Sequence, residues 1–236
     1  EGEFKNGKRN GYGIYKYHNG DIFKGEWIDG EEKPFGIYKF NDGDIYEGEF
    51  KDSQRNGNGI MKYHNGDIYE GEWKNDKING YGIIKYENGN IFEGTFIDNK
   101  KNGYGIFKFK DGDIMKGEWK DNAIYGHIKE IYTNGDIFEY EYQDYHKNYH
   151  GIYKYKNGDI FEGQYKNNKI NGYGIYKFKS GSVFEGEYKD NERNGHGILK
   201  MKSGDIYDGE WKDNKYNGSG IYKFKNGDIF EGQFKN

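Results

Sequence analysis

At 236 residues the chain has room for one or two ordinary domains, yet its mean hydropathy of −1.22 and its lack of cysteine exclude a thick aliphatic core and any disulfide framework. An aromatic content of 19% excludes a disordered polar chain, because disordered chains are poor in aromatic residues. A net charge of −4 gives no basic field for nucleic acid, and no apolar run approaches the roughly 18 residues of a membrane-spanning helix.

The opening EGEFKNG has neither Met nor a signal-like apolar segment, and reads as part of a longer soluble protein. From there one phrase recurs. Aromatic, acidic, glycine stands at Tyr46, Tyr69, Phe92, Phe161, Phe184 and Phe230, with variants at Phe23, Met115, Phe138 and Tyr207, always 23 residues or a multiple apart. Residues 1–236 therefore form a single array of about ten repeats. Full repeats begin near 23, 46, 69, 92, 115, 138, 161, 184 and 207, partial ones lie at both ends, and those over 115–160 are irregular.

With the opening aromatic as offset 0, glycine recurs at offsets 2, 11 and 13 and fills offset 20 in every repeat, from Gly20 to Gly227. Glycine at this density argues against helix, since each interior Gly costs about 1 kcal/mol against Ala. A segment such as KYHNGDIY reads as strand, turn, strand. Side-chain parity selects the turn. A two-residue loop would put the offset-15 aromatic on the same face as the offset-1 glutamate. A three-residue loop closed by a left-handed Gly instead pairs offset 15 with the next 0 and 13 with the next 2. The second register gathers aromatics and glycines on one face and is preferred. Inside each repeat, the segment KNDKIN (74–79) is expected to form a longer loop that pairs offset 4 with 11, 2 with 13 and 0 with 15.

The expected fold is all-β: an elongated, twisted, single-layer antiparallel sheet of successive hairpins, on the order of 100 Å long at about 4.8 Å per strand. One face is expected to be a trough with aromatic walls and a nearly bare glycine floor. The other mixes Ile at offsets 14 and 22, Glu at 1 and 3, and Lys at 16.

The phrase YEGEWKNDKINGYGIIKYENGN resembles the 23-residue MORN (membrane occupation and recognition nexus) repeat, and the resemblance runs the length of the chain. It implies a scaffold, a dimerisation element or a peptide-binding groove. Such arrays occur alone in cytoskeletal, ciliary and cell-division proteins, or joined to catalytic domains at membranes. No P-loop, nucleotide-binding glycine motif, cysteine nucleophile or zinc spacing is present, so neither enzyme activity nor a cofactor is expected. The turn accounts for Asp42-Gly43-Asp44 without calcium, and Asn217-Gly218-Ser219 lies in an ordinary repeat loop.

Partner-binding residues expected along the trough are Trp27, Tyr46, Phe50, Tyr69, Trp73, Phe92, Phe96, Trp119 and Trp211, the tryptophans being the strongest anchors. The same residues are also the only core such a sheet could have. Lys154, Lys156, Lys177, Lys179, Lys200 and Lys202 could meet an anionic phospholipid surface, although glutamates on that face offset them. His127, His146 and His150 are weak candidates for a metal staple. In FEYEYQDYHKNYHG (138–151) two trough glycines are replaced by Tyr140 and Tyr149, and Ile128 replaces a third. These residues, with Tyr142, either record the decay of one repeat or plug the groove, bending the array near residues 126–150 and dividing the groove into a segment before 115 and another after 160. The preferred function is a non-enzymatic scaffold, cytoplasmic and cytoskeletal or at the cytoplasmic face of a membrane, binding protein partners and forming a homodimer through exposed strand edges. The alternative is an anionic-lipid module that targets a catalytic domain to a membrane.

Overall fold

A computed structural model describes residues 1–142 and 148–235, apart from the side chain of Glu32. Among these residues there is no helix, and strands follow one another as antiparallel hairpins in chain order. The chain divides into two compact units, Glu1–Ile124 and Tyr125–Asn236. The boundary falls within the irregular repeats.

Between repeats the preferred register holds. Tyr38 pairs with Tyr46 and Gly36 with Gly48, and Gly57 faces Trp73. In the turn after Tyr17, the Gly20 amide donates to Tyr17 O (3.1 Å) and the Tyr17 amide to Asp21 O (2.9 Å), with Gly20 at φ +96°. A left-handed residue closing a three-residue turn suits Gly, which has no Cβ to clash.

Inside the repeat the expectation is corrected. The loop is only two residues long, Asn75-Asp76, both at positive φ (49° and 64°), and Trp73 pairs with Ile78 rather than with Gly80. Offset 4 thus pairs with 9 within a repeat and with 11 only in the preceding one. Asn and Asp tolerate the left-handed region through local hydrogen bonds, which makes a type I′ loop available. Neighbouring loops are tied together. The Asp76 amide donates to Arg55 O (3.1 Å), and the Arg55 amide donates to Asp76 Oδ1 (3.0 Å).

The residues left over, Asn79 to Tyr81, bulge opposite Glu72, with Gly80 at φ +113°. Glu72 Oε1 accepts the Tyr81 amide at 3.0 Å, and Glu49 does the same for the Asn58 amide at 3.0 Å. The offset-3 carboxylate therefore satisfies backbone that the bulge removes from the ladder.

Each unit has its own core. In the first it comprises Phe23, Trp27, Tyr46, Phe50, Met61, Tyr69, Trp73, Ile78, Phe92, Phe96 and Trp119. In the second it comprises Phe138, Phe161, Tyr165, Phe184, Tyr188, Tyr207 and Trp211. The rings alternate edge to face. Trp73 stands 5.2 Å from Tyr46 at 79° and 5.3 Å from Tyr69 at 82°, an arrangement worth about 0.5–1.5 kcal/mol per pair beyond area burial.

Candidate protein-interaction faces

On the aromatic side the floor of the expected trough is occupied. A Cβ built on Gly82 would lie 2.6 Å from Tyr69 Cζ, and one on Gly59 2.5 Å from Tyr46 Cζ. The opening ring of each regular repeat thus lies across its own two glycines, which are small in order to admit it. Tyr46, Tyr69 and Phe92 are fully buried, and Trp27, Phe50, Trp73, Phe96, Trp119 and Trp211 are buried beside them. Burial pushes the Tyr46 and Tyr69 hydroxyls well above the usual tyrosine range, while each donates to the carbonyl three residues on (2.9 Å). A partner on this side would meet the half-buried rings at the margin, such as Tyr38, Phe40, Tyr63 and Tyr86.

A row of cations on this side went unread in the sequence. Arg9, Arg55, Lys101 and Arg193 stand 3.8, 4.6, 5.0 and 4.5 Å from the ring centroids of Trp27, Trp73, Trp119 and Trp211. Burial lowers the Lys101 pKa below that of a solvated lysine. Cation and Trp recur together at intervals of 46 residues or a multiple, so two repeats form one packing unit.

Within the second unit the irregular residues come together. Ile128 pairs with Tyr140, as the register implied, and is fully buried. The Tyr140 ring lies 4.7 Å from Phe138 and 4.9 Å from Tyr149, and its hydroxyl donates to Glu130 Oε1 at 2.8 Å. Burial is the first cause that raises the Tyr140 pKa, and the nearby Glu130 charge adds to it. Tyr149 stacks on Tyr165 at 5.3 Å and 11°, and Tyr142 pairs with Gly126.

The opposite face of the first unit carries a row of exposed aromatics. Offset 12 holds Tyr12, Phe35, Tyr81 and Tyr104, between 48% and 59% exposed, with Asn58 interrupting the row. One depression of about 550 Å³ lies between Phe35 and Tyr81, floored by the backbone of Gly48, Gly59, Gly71 and Gly82 and edged by Glu47, Glu70 and Glu72. A second, of about 450 Å³, lies between Tyr12 and Phe35 beside Lys24, Glu26 and Lys33. An aromatic-walled, glycine-floored surface therefore exists, on the face where the sequence reading placed mixed Ile, Glu and Lys.

The MORN repeat family model matches residues 1–22, 23–45, 46–68, 69–91, 92–114, 161–183, 184–206 and 207–229. The chain belongs to the MORN repeat family. Eight repeats are matched rather than ten, and the stretch left unmatched within them, 115–160, is the irregular one. No curated protein sequence matches the chain. Among solved structures it is similar to the TCP domain of SAS-4 from Drosophila melanogaster, in complex with a proline-rich motif of Ana2, at 15% identity and TM-score 0.45 over 75% of this chain and 90% of that one. A streptogramin B lyase follows at 15% identity and TM-score 0.19, covering 95% and 83%. A catalytically inactive virginiamycin B lyase from Staphylococcus aureus with quinupristin gives 18%, 0.17, 99% and 73%. None of these likenesses bears on what the chain does.

On this MORN array the offset-16 lysines meet offset-1 carboxylates of their own repeat: Lys85–Glu70 at 3.8 Å, Lys108–Glu93 at 3.1 Å and Lys154–Glu139 at 3.1 Å. Lys129 also reaches Glu139, at 2.9 Å. The turn lysines Lys156, Lys179 and Lys202 run their stems beside Gly135, Gly158 and Gly181. Lys177 and Lys200 lie at strand ends. His127 Nδ1 is 3.7 Å from Glu141 Oε2, His150 pairs with Gln164, and His146 lies outside the described residues. Among the described residues no three His, Cys, Asp or Glu side chains gather as a metal site. Among the described residues no helix is long and apolar enough to cross a membrane.

Proposed function

We propose that this MORN array is a non-enzymatic scaffold that presents its sheet to protein partners, in a cytoskeletal setting or at the cytoplasmic face of a membrane. The observation that carries the reading is the row of exposed rings Tyr12, Phe35, Tyr81 and Tyr104 flanking glycine-floored depressions. Exposed apolar surface between polar edges is what protein interfaces use, and rigid aromatics anchor them. Self-association by strand pairing is part of the proposal.

Affinity capture with the native chain and with a Tyr12→Ser/Phe35→Ser/Tyr81→Ser variant of equal melting temperature tests the role. Partners held by the native chain and lost from the variant are expected. Identical partners on both would sink the assignment to this face. Light scattering over a concentration series checks the homodimer, and a monomer throughout would remove it.

The lipid alternative would rest on the turn-edge lysines Lys156, Lys179 and Lys202. Sedimentation with phosphatidylserine vesicles across a salt series separates the two readings, because headgroup binding must weaken as salt rises.

A further inference from the structure

The two depressions on the exposed face of the first unit are similar in size and floor but opposite in charge. That between Tyr12 and Phe35 is edged by two lysines and one glutamate, and Lys33 Nζ bridges Glu26 at 2.6 Å, so its charges are largely internal. That between Phe35 and Tyr81 is edged by Glu47, Glu70 and Glu72 and by no cation. Glu72 spends one oxygen on the Tyr81 amide. Glu70 pairs with Lys85 at 3.8 Å, and both side chains of that pair are more than half exposed.

Shape sets this depression apart as well. The strands bearing Phe35 and Tyr81 are four spacings apart, about 19 Å. The position between them holds Asn58, the short side chain in a row otherwise occupied by Tyr12, Phe35, Tyr81 and Tyr104. Aromatic faces attract cations through their quadrupoles, and a carboxylate beside them adds a direct charge.

We propose that the depression between Phe35 and Tyr81 receives an arginine or lysine side chain of a protein partner, its stem over the glycine floor and its charge between Glu47 and Glu70, with the two rings as the outer walls. The assignment rests on the interaction reading above and names the partner chemistry of one part of that face.

A random displayed-peptide library panned on the full chain and on Asn58→Tyr tests it. The variant carries at this position the residue already present at Tyr12, Tyr81 and Tyr104, so it narrows the gap within the sheet's own pattern. Peptides selected by the native chain and lost on the variant are expected to contain arginine or lysine. Replacing that residue by citrulline or norleucine is expected to weaken binding about tenfold in anisotropy titrations. A Glu47→Gln/Glu70→Gln chain of unchanged melting temperature is expected to do the same. Variant-sensitive peptides that lack a basic residue, or that bind equally well with citrulline or norleucine, would overturn the cation assignment and leave the interaction reading standing. A library yielding no peptide specific to the native chain would remove both.

Discussion

Over Gly48 and Gly59 the aromatic side of the sheet is filled by one ring, Tyr46, lying across both glycines. In the second unit the corresponding pair is Tyr140 and Gly151, preceded by Ile128 where another repeat has Gly. The register is the same in both places: Gly36, Gly48 and Gly59 align as do Ile128, Tyr140 and Gly151. Ring geometry is what changes, from 79° between Tyr46 and Trp73 to 55° between the equivalent rings Phe138 and Tyr165. The offset-2 and offset-13 glycines are thus required by where the neighbouring ring lies. Once that ring tilts aside, the floor accepts side chains without a slip in pairing.

The most severe way to break the comparison is to empty the filled floor. Tyr140→Gly is expected to cost about 2–4 kcal/mol in urea denaturation, since it deletes a ring packed on the core and leaves Glu130 with the Tyr132 hydroxyl but without the Tyr140 one it meets at 2.8 Å. Adding Ile128→Gly restores glycine at both positions, so the pair should cost less than the sum of the single changes. A neutral Tyr140→Gly would mean that the repeat had merely decayed.

The converse change fills a floor that is already occupied. Gly82→Ala puts a methyl 2.6 Å from Tyr69 Cζ, and overpacking of this kind costs about 1–3 kcal/mol. Gly151→Ala meets Phe138 Cε2 at 2.7 Å, where the Gly82 methyl meets Tyr69 Cε2 at 2.5 Å, and is expected to cost somewhat less by the same measurement. Equal losses would show that glycine is demanded by the backbone and not by the ring.

Much of this was legible in the sequence because a 23-residue period fixes parity. Offsets 15 and 0, or 13 and 2, can share a face in one register only, and the Ile128–Tyr140 pairing followed from it. The two-residue loop at Asn75-Asp76 was hidden because left-handed Asn and Asp look like any polar loop. That rings cover neighbouring glycines was legible, but which ring covers which pair was hidden, because periodicity tells which face a ring joins and not which way it leans. The cation row at Arg9, Arg55, Lys101 and Arg193 was available as a 46-residue period at offset 9, lost beneath the stronger 23-residue signal. The exposed depression was missed because Asn58 matters through what it fails to fill.

The smallest effect tests whether the irregular stretch departs from the regular one beyond its floor. Asp136 accepts from the Lys156 amide at 2.7 Å, from Tyr153 Oη at 2.9 Å and from Asn134 Nδ2 at 2.9 Å. At the end of that stretch, where the strand donors Lys179 and Tyr176 belong to the regular repeat 161–183, Asp159 accepts from the Lys179 amide at 2.8 Å, from Tyr176 Oη at 2.9 Å and from Asn157 Nδ2 at 2.9 Å. Both carboxyls are held below the ordinary aspartate value of 3.8, the amide bond being the first cause in each. A depressed folded pKa supplies stability that is complete above pH 3.8 and disappears as pH falls through the folded value. Asp136→Asn and Asp159→Asn should therefore each lower the melting temperature at neutral pH by about 1 °C, since solvent screens both sites, and flatten its fall in acid. Matching curves for the two variants would confine the irregularity to the floor of the sheet. A larger loss at Asp136 would extend it to the turns.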